Sequence, residues 1–124
     1  ILLVEDNELN AEIAKTVLED VGALITRAEN GQQALELFKE KPAGTFDVIL
    51  MDLMMPVMDG LTATKAIRSL TRPDAKTIPI LAMTANAFEE DAKQCFAAGM
   101  NAHIAKPIDM EFLEKTLQRI YEQL

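Results

Sequence analysis

Asp47-Val48-Ile49-Leu50-Met51-Asp52-Leu53-Met54-Met55-Pro56-Val57-Met58-Asp59-Gly60 is the stretch on which the fold of this chain turns. Four apolar residues, Val48 to Met51, run without a break into a carboxylate, Asp52. Such a run, bounded by turn signals, reads as a strand buried on both faces. Pro56 cannot donate to a sheet ladder, and Asp59-Gly60 punctuates a turn that enters a helix. Asp52 therefore falls where a central strand leaves its sheet.

Similar apolar runs lie on either side. Ile1–Val4, Leu24–Ala28, Ile78–Met83 and Ala102–Ala105 read as four further strands. Helical patterns alternate with them. The first carries Leu9, Ile13, Val17 and Val21 as one apolar stripe and ends at Gly22. The second is capped by Asn30, with Gln33 in the capping-box position, and turns Ala34, Leu35 and Phe38 inward. A third runs from about Leu61 to Leu70, followed by a polar loop, Thr71 to Thr77. Asn86 with Glu89 opens a fourth, which ends at Gly99. Asp109 caps the last, with Phe112, Leu113, Leu117, Ile120 and Leu124 inward. Strand and helix alternate five times over. That pattern predicts an α/β fold, a doubly wound five-stranded parallel sheet with helices on both faces.

Composition narrows the field. The chain has 124 residues, enough for one domain with a real core. A hydrophobic share of 49% excludes a mainly disordered chain. No apolar run approaches the ~20 residues of a membrane helix. Twelve basic residues against 20 acidic give a net charge of -8, which argues against a broad nucleic-acid interface and permits cation binding. Cys95 stands alone, so neither a disulfide framework nor a zinc set exists; a buried helical thiol in a reducing, cytoplasmic compartment is expected. The chain starts in a strand without Met, so residues 1–124 are expected to be a single domain cut from a longer polypeptide.

Ligands of such sheets bind beyond the carboxyl ends of the strands. The first strand delivers Glu5 and Asp6 there, the third Asp52, the fourth Thr84 and the fifth Lys106. The second delivers only Glu29 and Asn30, which places it at an edge. Three carboxylates on neighbouring strand ends repel one another unless a cation intervenes. Hard oxygen ligands of this kind suit Mg²⁺, or Mn²⁺ in its place, completed by waters and a phosphate. A lysine and a hydroxyl opposite them match the needs of a transferring phosphoryl group, and a carboxylate can itself be the nucleophile. Taken singly, Asp52 reads as a solvated strand-end acid, Lys106 as a surface lysine and Thr84 as a strand-end cap. It is the set that points to chemistry.

Val4-Glu5-Asp6-Asn7, Met51-Asp52-Leu53-Met54-Met55-Pro56, Asp59-Gly60, Thr84-Ala85 and Lys106-Pro107, in this order and spacing, resemble the receiver domain of two-component response regulators. The resemblance covers essentially the whole chain. It implies a flavodoxin-like sheet of strand order 2-1-3-4-5. It implies Asp52 as phospho-acceptor; Glu5, Asp6, Asp52 and the backbone carbonyl of Met54 as Mg²⁺ ligands; Thr84 as switch hydroxyl; and Lys106 as the phosphoryl-pairing lysine, with a cis peptide at Lys106-Pro107. Partners so implied are a histidine kinase or a histidine phosphotransfer domain, with the face of the fourth helix, fifth strand and fifth helix as moving surface and as the place for a weak homodimer. The segment Val4 to Asn10 and the absence of an output domain look like the receivers of hybrid histidine kinases or phosphorelays, whose parent proteins are membrane-anchored in some cases; a single-domain regulator, or a receiver whose DNA-binding output domain was removed, stays open. No nucleic acid or membrane contact through this domain is implied.

Two positions depart from the family pattern. His103, the only histidine, stands where Tyr or Phe is usual, either as a rotating ring or as a plain strand residue. Met54 cannot orient water well, so a moderately long-lived phosphorylated state is expected. Two other functions stay open: an Mg²⁺-dependent phosphatase or phosphotransferase with an aspartate nucleophile, and a pseudo-receiver acting only as an interaction module. Met54 sits where haloacid-dehalogenase-type phosphatases carry a second acid. That counts against turnover, and leaves Mg²⁺-dependent self-phosphorylation and self-dephosphorylation as the activity expected of a domain that is not a stand-alone enzyme.

Overall fold

The computed structural model describes residues 1–53, 55, 57–84, 89–105 and 109–122. Its elements follow the predicted alternation: β1 (Leu2–Val4), α1 (Glu8–Asp20), β2 (Thr26–Ala28), α2 (Gly31–Glu40), β3 (Ile49–Asp52), α3 (Gly60–Arg68), α4 (Pro73–Thr77), β4 (Ile80–Thr84), α5 (Glu89–Ala98), β5 (Ala102–Ala105) and α6 (Met110–Glu122). The strands form one parallel sheet in the order β2-β1-β3-β4-β5. β1, β3 and β4 are central, and their residues are buried almost throughout, as the unbroken apolar runs require. β2, the strand that delivers no acid cluster, is an edge.

Strand alternation divides the core in two. Leu2, Val4, Ile49, Met51, Ile80 and Ala82 face α2, α3 and α5, meeting Phe38, Ile67 and Cys95. Leu3, Leu50, Leu81, Met83 and Ile104 face α1 and α6, meeting Leu18, Leu113 and Ile120. Cys95 is buried, as expected of a structural thiol.

The caps expected at Asn30 and Asp109 form: Asn30 Oδ1 accepts from Gln33 N at 2.8 Å and Asp109 Oδ1 from Glu111 N at 3.0 Å. Asp59, expected only as part of a turn, caps α3 as well, its Oδ1 accepting from Thr62 N at 2.8 Å. Gln33 reaches back one residue further than a capping box does, to Glu29 N. The cap expected at Asn86 lies outside the described residues.

Four expectations change. The α1 stripe is not its buried face: Leu9 and Ile13 are 69% and 51% exposed and Val21 is exposed, while Ala11, Ala14 and Leu18 pack on the sheet. A period of four advances about 40° per step on a helix of 3.6 residues per turn, so such a stripe winds off any one face. The alanines let the helix lie close. Leu24 lies outside β2 and is exposed. The supposed loop from Thr71 to Thr77 contains α4, started by Pro73 at its first turn. On α6 Leu113, Thr116 and Ile120 are buried and Leu117 packs partly buried beside them, as expected of Leu113, Leu117 and Ile120; Phe112 is half exposed, and Leu124 lies outside the described residues. Thr116 is tolerated inside because its hydroxyl donates to Phe112 O at 2.8 Å.

Candidate functional site

Parallel register brings the strand ends together. Val4 pairs with Met51, so Glu5 and Asp52 are the next step on adjacent strands. Asp52 pairs with Met83, so Thr84 lies one step beyond Asp52's neighbour, and Leu53 N donates to Met83 O at 3.3 Å. Thr84 in turn pairs with Ala105, the last residue of β5.

The acids meet as their positions require. One carboxylate oxygen from each of Glu5, Asp6 and Asp52 lies within 4.8 Å of the others. Glu5 is 3% and Asp52 4% exposed, and Asp6 is open to solvent. Glu5 Oε1 accepts from Asn7 N at 3.3 Å, while Asn7 Oδ1 caps α1 through Asn10 N at 3.0 Å. One short turn therefore orients a carboxylate and starts a helix.

Three hard carboxylate donors suit Mg²⁺. Two ligand oxygens on one octahedral Mg²⁺ stand about 2.9 Å apart when adjacent and about 4.2 Å when opposite, given bonds of about 2.1 Å. Donor atoms within 4.8 Å of one another would close by up to about 1.8 Å to stand adjacent on one ion, a shift that side-chain rotation can supply. Exposure of Asp6 on one side leaves room for waters or a phosphate. The donor set fits the ion.

Two features behind the acids escaped the sequence reading. Arg27, in the middle of β2, donates to Glu5 O through Nε at 3.3 Å and Nη2 at 3.0 Å, and Nη2 also reaches Asp6 O at 3.5 Å. A guanidinium fork thus grips the backbone of both acidic residues. The only hint is a charged residue inside a short strand that is otherwise uncharged. Gly60 opens α3 directly on the Asp52 backbone: a Cβ there would collide with Asp52 O and stand 3.0 Å from Met51 Cγ. The turn assigned to Asp59-Gly60 is equally a close approach that seats a helix N-terminus against the site. Asp59, the α3 cap, has its carboxyl held below the ordinary value, chiefly by the hydrogen bond from Thr62 N.

His103 lies lower on β5, paired with Ala82 and half buried. It lines a recess of about 330 Å³ with Phe96, Phe112, Thr116 and Arg119. Lys106, Pro107 and Met54 lie outside the described residues.

Comparisons with known proteins agree with this arrangement. The family profile described as response regulator receiver domain matches residues 1–118. Over 97% of its length the chain is 43% identical to hybrid signal transduction histidine kinase M of Dictyostelium discoideum, and over 96% it is 38% identical to probable histidine kinase 1 of Oryza sativa subsp. indica. It spans only 5% and 15% of those proteins. Among solved structures, it resembles the receiver domain of sensor histidine kinase PA1611 from Pseudomonas aeruginosa, crystallised with a magnesium ion coordinated in the active-site cleft. The TM-score is 0.82 at 39% identity, covering 95% of this chain and 93% of that one. It also resembles a chain in the co-crystal of the Saccharomyces cerevisiae phosphotransfer protein Ypd1 with the receiver domain of Ssk1. There the TM-score is 0.78 at 30% identity, covering 92% of this chain and 82% of that one.

Proposed function

Because the chain belongs to the response regulator receiver domain family, we propose that residues 1–124 form one phospho-accepting signalling domain, part of a hybrid histidine kinase. The observation that carries this reading is the gathering of Glu5, Asp6 and Asp52 around one point, with Asp52 buried at the end of a central strand.

In the proposed step an Asp52 oxygen attacks the phosphorus of a phosphohistidine on a histidine kinase or a histidine phosphotransfer domain. A P–O bond forms and the P–N bond breaks; the imidazole leaves with the electron pair and is neutral once it holds one proton. Glu5, Asp6 and Asp52, with the Met54 carbonyl, would hold Mg²⁺ (or Mn²⁺). The bound ion supplies positive charge against the phosphoryl oxygens. Arg27 fixes the backbone that bears Glu5 and Asp6 and leaves their carboxylates pointing at Asp52. The Thr84 hydroxyl donates to a phosphoryl oxygen, and Lys106, which follows directly on β5, pairs with another.

Movement of Thr84 toward the phosphoryl group biases the face of α5, β5 and α6, where His103 lines the recess. That face is also where a weak homodimer would form. Turnover is limited to the domain's own phosphoryl group, gained from a donor and lost to water, with Met54 slowing the loss. Replacement of Met54 by Asn is expected to shorten the lifetime of the phosphorylated form in a dephosphorylation time course. Leu9 and Ile13, exposed on α1 beside the acids, suit the apolar face of a helical phosphotransfer partner. The pairing of a phosphotransfer protein with a receiver in the Ypd1–Ssk1 crystal supports that partner class. Among the described residues no helix is long and apolar enough to cross a membrane; a cytoplasmic domain tethered to a larger kinase is the placement proposed.

The test is direct. Incubation with acetyl phosphate and Mg²⁺ should add one phosphoryl group to the wild type, seen by intact mass, and none to Asp52→Asn. A folded wild type that gains no adduct overturns the proposal; an adduct surviving in Asp52→Asn moves the acceptor elsewhere.

A further inference from the structure

The ladder between β1 and β2 runs out just short of the acids. Glu5 N donates to Ala28 O at 3.1 Å. In a parallel pair the next rung would come from the N–H of Asn30, but Asn30 has left the sheet to cap α2. Glu29 N is turned away as well, donating to Gln33 Oε1. Arg27 fills the gap. It is half-buried, sits opposite Leu3 in the register, and donates to Glu5 O at 3.3 and 3.0 Å and to Asp6 O at 3.5 Å.

Because the fork takes carbonyls, it leaves the carboxylates themselves to an ion; a cation bonded to them would compete with it. It also resists their spreading. Glu5, Asp6 and Asp52 repel one another within 4.8 Å. Glu5 and Asp52 are buried, so Asp6, exposed on the turn between β1 and α1, is the one that can swing outward. Ions differ in what that costs them. Mg²⁺, with bonds of about 2.1 Å, holds adjacent oxygens about 2.9 Å apart and demands near-ideal geometry. Ca²⁺, with bonds of about 2.4 Å and a flexible shell, accepts about 3.4 Å. A site whose acids drift apart loses Mg²⁺ first.

We infer that Arg27 is a positioning residue that sets the ion selectivity of the acidic site: by pinning the backbone of Glu5 and Asp6, it holds the carboxylates close enough for Mg²⁺ to be preferred over Ca²⁺. This deepens the metal-binding part of the reading above and rests on it. Arginine suits the task better than lysine, because a planar fork spans two carbonyls in one geometry and a single ammonium is a point charge on a flexible stem.

Isothermal titration calorimetry with Mg²⁺ and with Ca²⁺ tests this on wild type, Arg27→Met, Arg27→Lys and Arg72→Ala. Wild type should bind Mg²⁺ more tightly than Ca²⁺. In Arg27→Met the Kd for Mg²⁺ should rise about tenfold, the low end for losing a group that orients metal ligands. The Kd for Ca²⁺ should rise no more than about threefold, so the ratio of the two narrows. Arg27→Lys should narrow it by a smaller factor. Arg72→Ala also removes carbonyl bonds, at the far end of the sheet; it should lower Tm and leave the ratio alone. An unchanged ratio in either Arg27 variant overturns the inference. So does a matching shift in Arg72→Ala, or a wild type that holds both ions equally. Wild type that prefers Mg²⁺ yet gains no adduct from acetyl phosphate overturns the phospho-acceptor reading and leaves the role of Arg27 standing. Binding of neither ion overturns both.

Discussion

The two ends of the sheet handle charge in opposite ways. At the end where strands begin, partly buried arginines are matched to backbone carbonyls. Arg68 donates to Gly99 O at 3.0 Å, Ala75 O at 3.1 Å and Asn101 Oδ1 at 2.9 Å, tying α3 to α4 and to the entrance of β5. Arg72 donates to Phe38 O at 2.7 Å and Lys41 O at 2.9 Å, stacks 4.8 Å above the Phe38 ring, and pairs with Asp74 at 2.8 Å. Carbonyls at the end of α2 thus find a cation, which the helix dipole favours. At the other end Arg27 also grips backbone carbonyls, those of Glu5 and Asp6, but the side chains there are three carboxylates that face one another. One end is arranged to hold the fold together; the other keeps like charges close at some expense to it. Crowding of that kind is useful to a site that receives a cation and a phosphoryl group.

Substitutions can break or sharpen this contrast. The largest effect should come from Arg68→Met, which removes three hydrogen bonds from a half-buried guanidinium. A loss of about 2–3 kcal/mol is expected in urea unfolding, with acetyl phosphate still labelling whatever remains folded. Arg72→Ala should cost about 1.5 kcal/mol, through lost carbonyl bonds and the lost ring contact. Asp52→Asn should move the other way, raising stability by about 1 kcal/mol in low salt without Mg²⁺, because one of three crowded charges is gone. Added Mg²⁺ should raise the Tm of the wild type more than that of Asp52→Asn. A drop in stability for Asp52→Asn would erase the contrast.

The smallest effect concerns acid. Asp74 is held below the ordinary carboxylate value of 3.8, first by its hydrogen bond from Arg72, and Asp59 by that from Thr62 N. Both folded values are depressed, so their contribution is present above the unfolded value and lost as pH falls through the folded one. Stability should therefore decline below about pH 4, and Asp59→Asn should flatten the decline, read as Tm against pH.

Most of the architecture was legible because each strand is a short apolar run bounded by turn residues, and because α2 and α6 start at caps, Asn30 and Asp109, that the sequence displays. The errors share a physical origin. In α1 the bulky residues drew the eye, but contact with the sheet goes to Ala11, Ala14 and Leu18, whose small size sets the approach. α4 was missed because Pro73 reads as a breaker, although proline also starts helices. Of the site, the three acids were legible because parallel strands present their last residues to one edge, and the structure brings them together. Arg27 was not, since a side chain that grips a neighbouring strand's carbonyls leaves no pattern in its own segment.

The register of the sheet has a consequence for the chain's birth. Its neighbours are distant in sequence: Val4 beside Met51, Asp52 beside Met83, Met83 beside Ile104. A chain leaving the ribosome exposes Glu5 and Asp6 long before Asp52, and Asp52 long before Thr84. None of them can act alone. Contacts of such long range form late and together, so the reactive centre comes into being only with the finished fold. On the phospho-acceptor reading proposed above, a copy truncated before β5 is expected to gain no phosphoryl group.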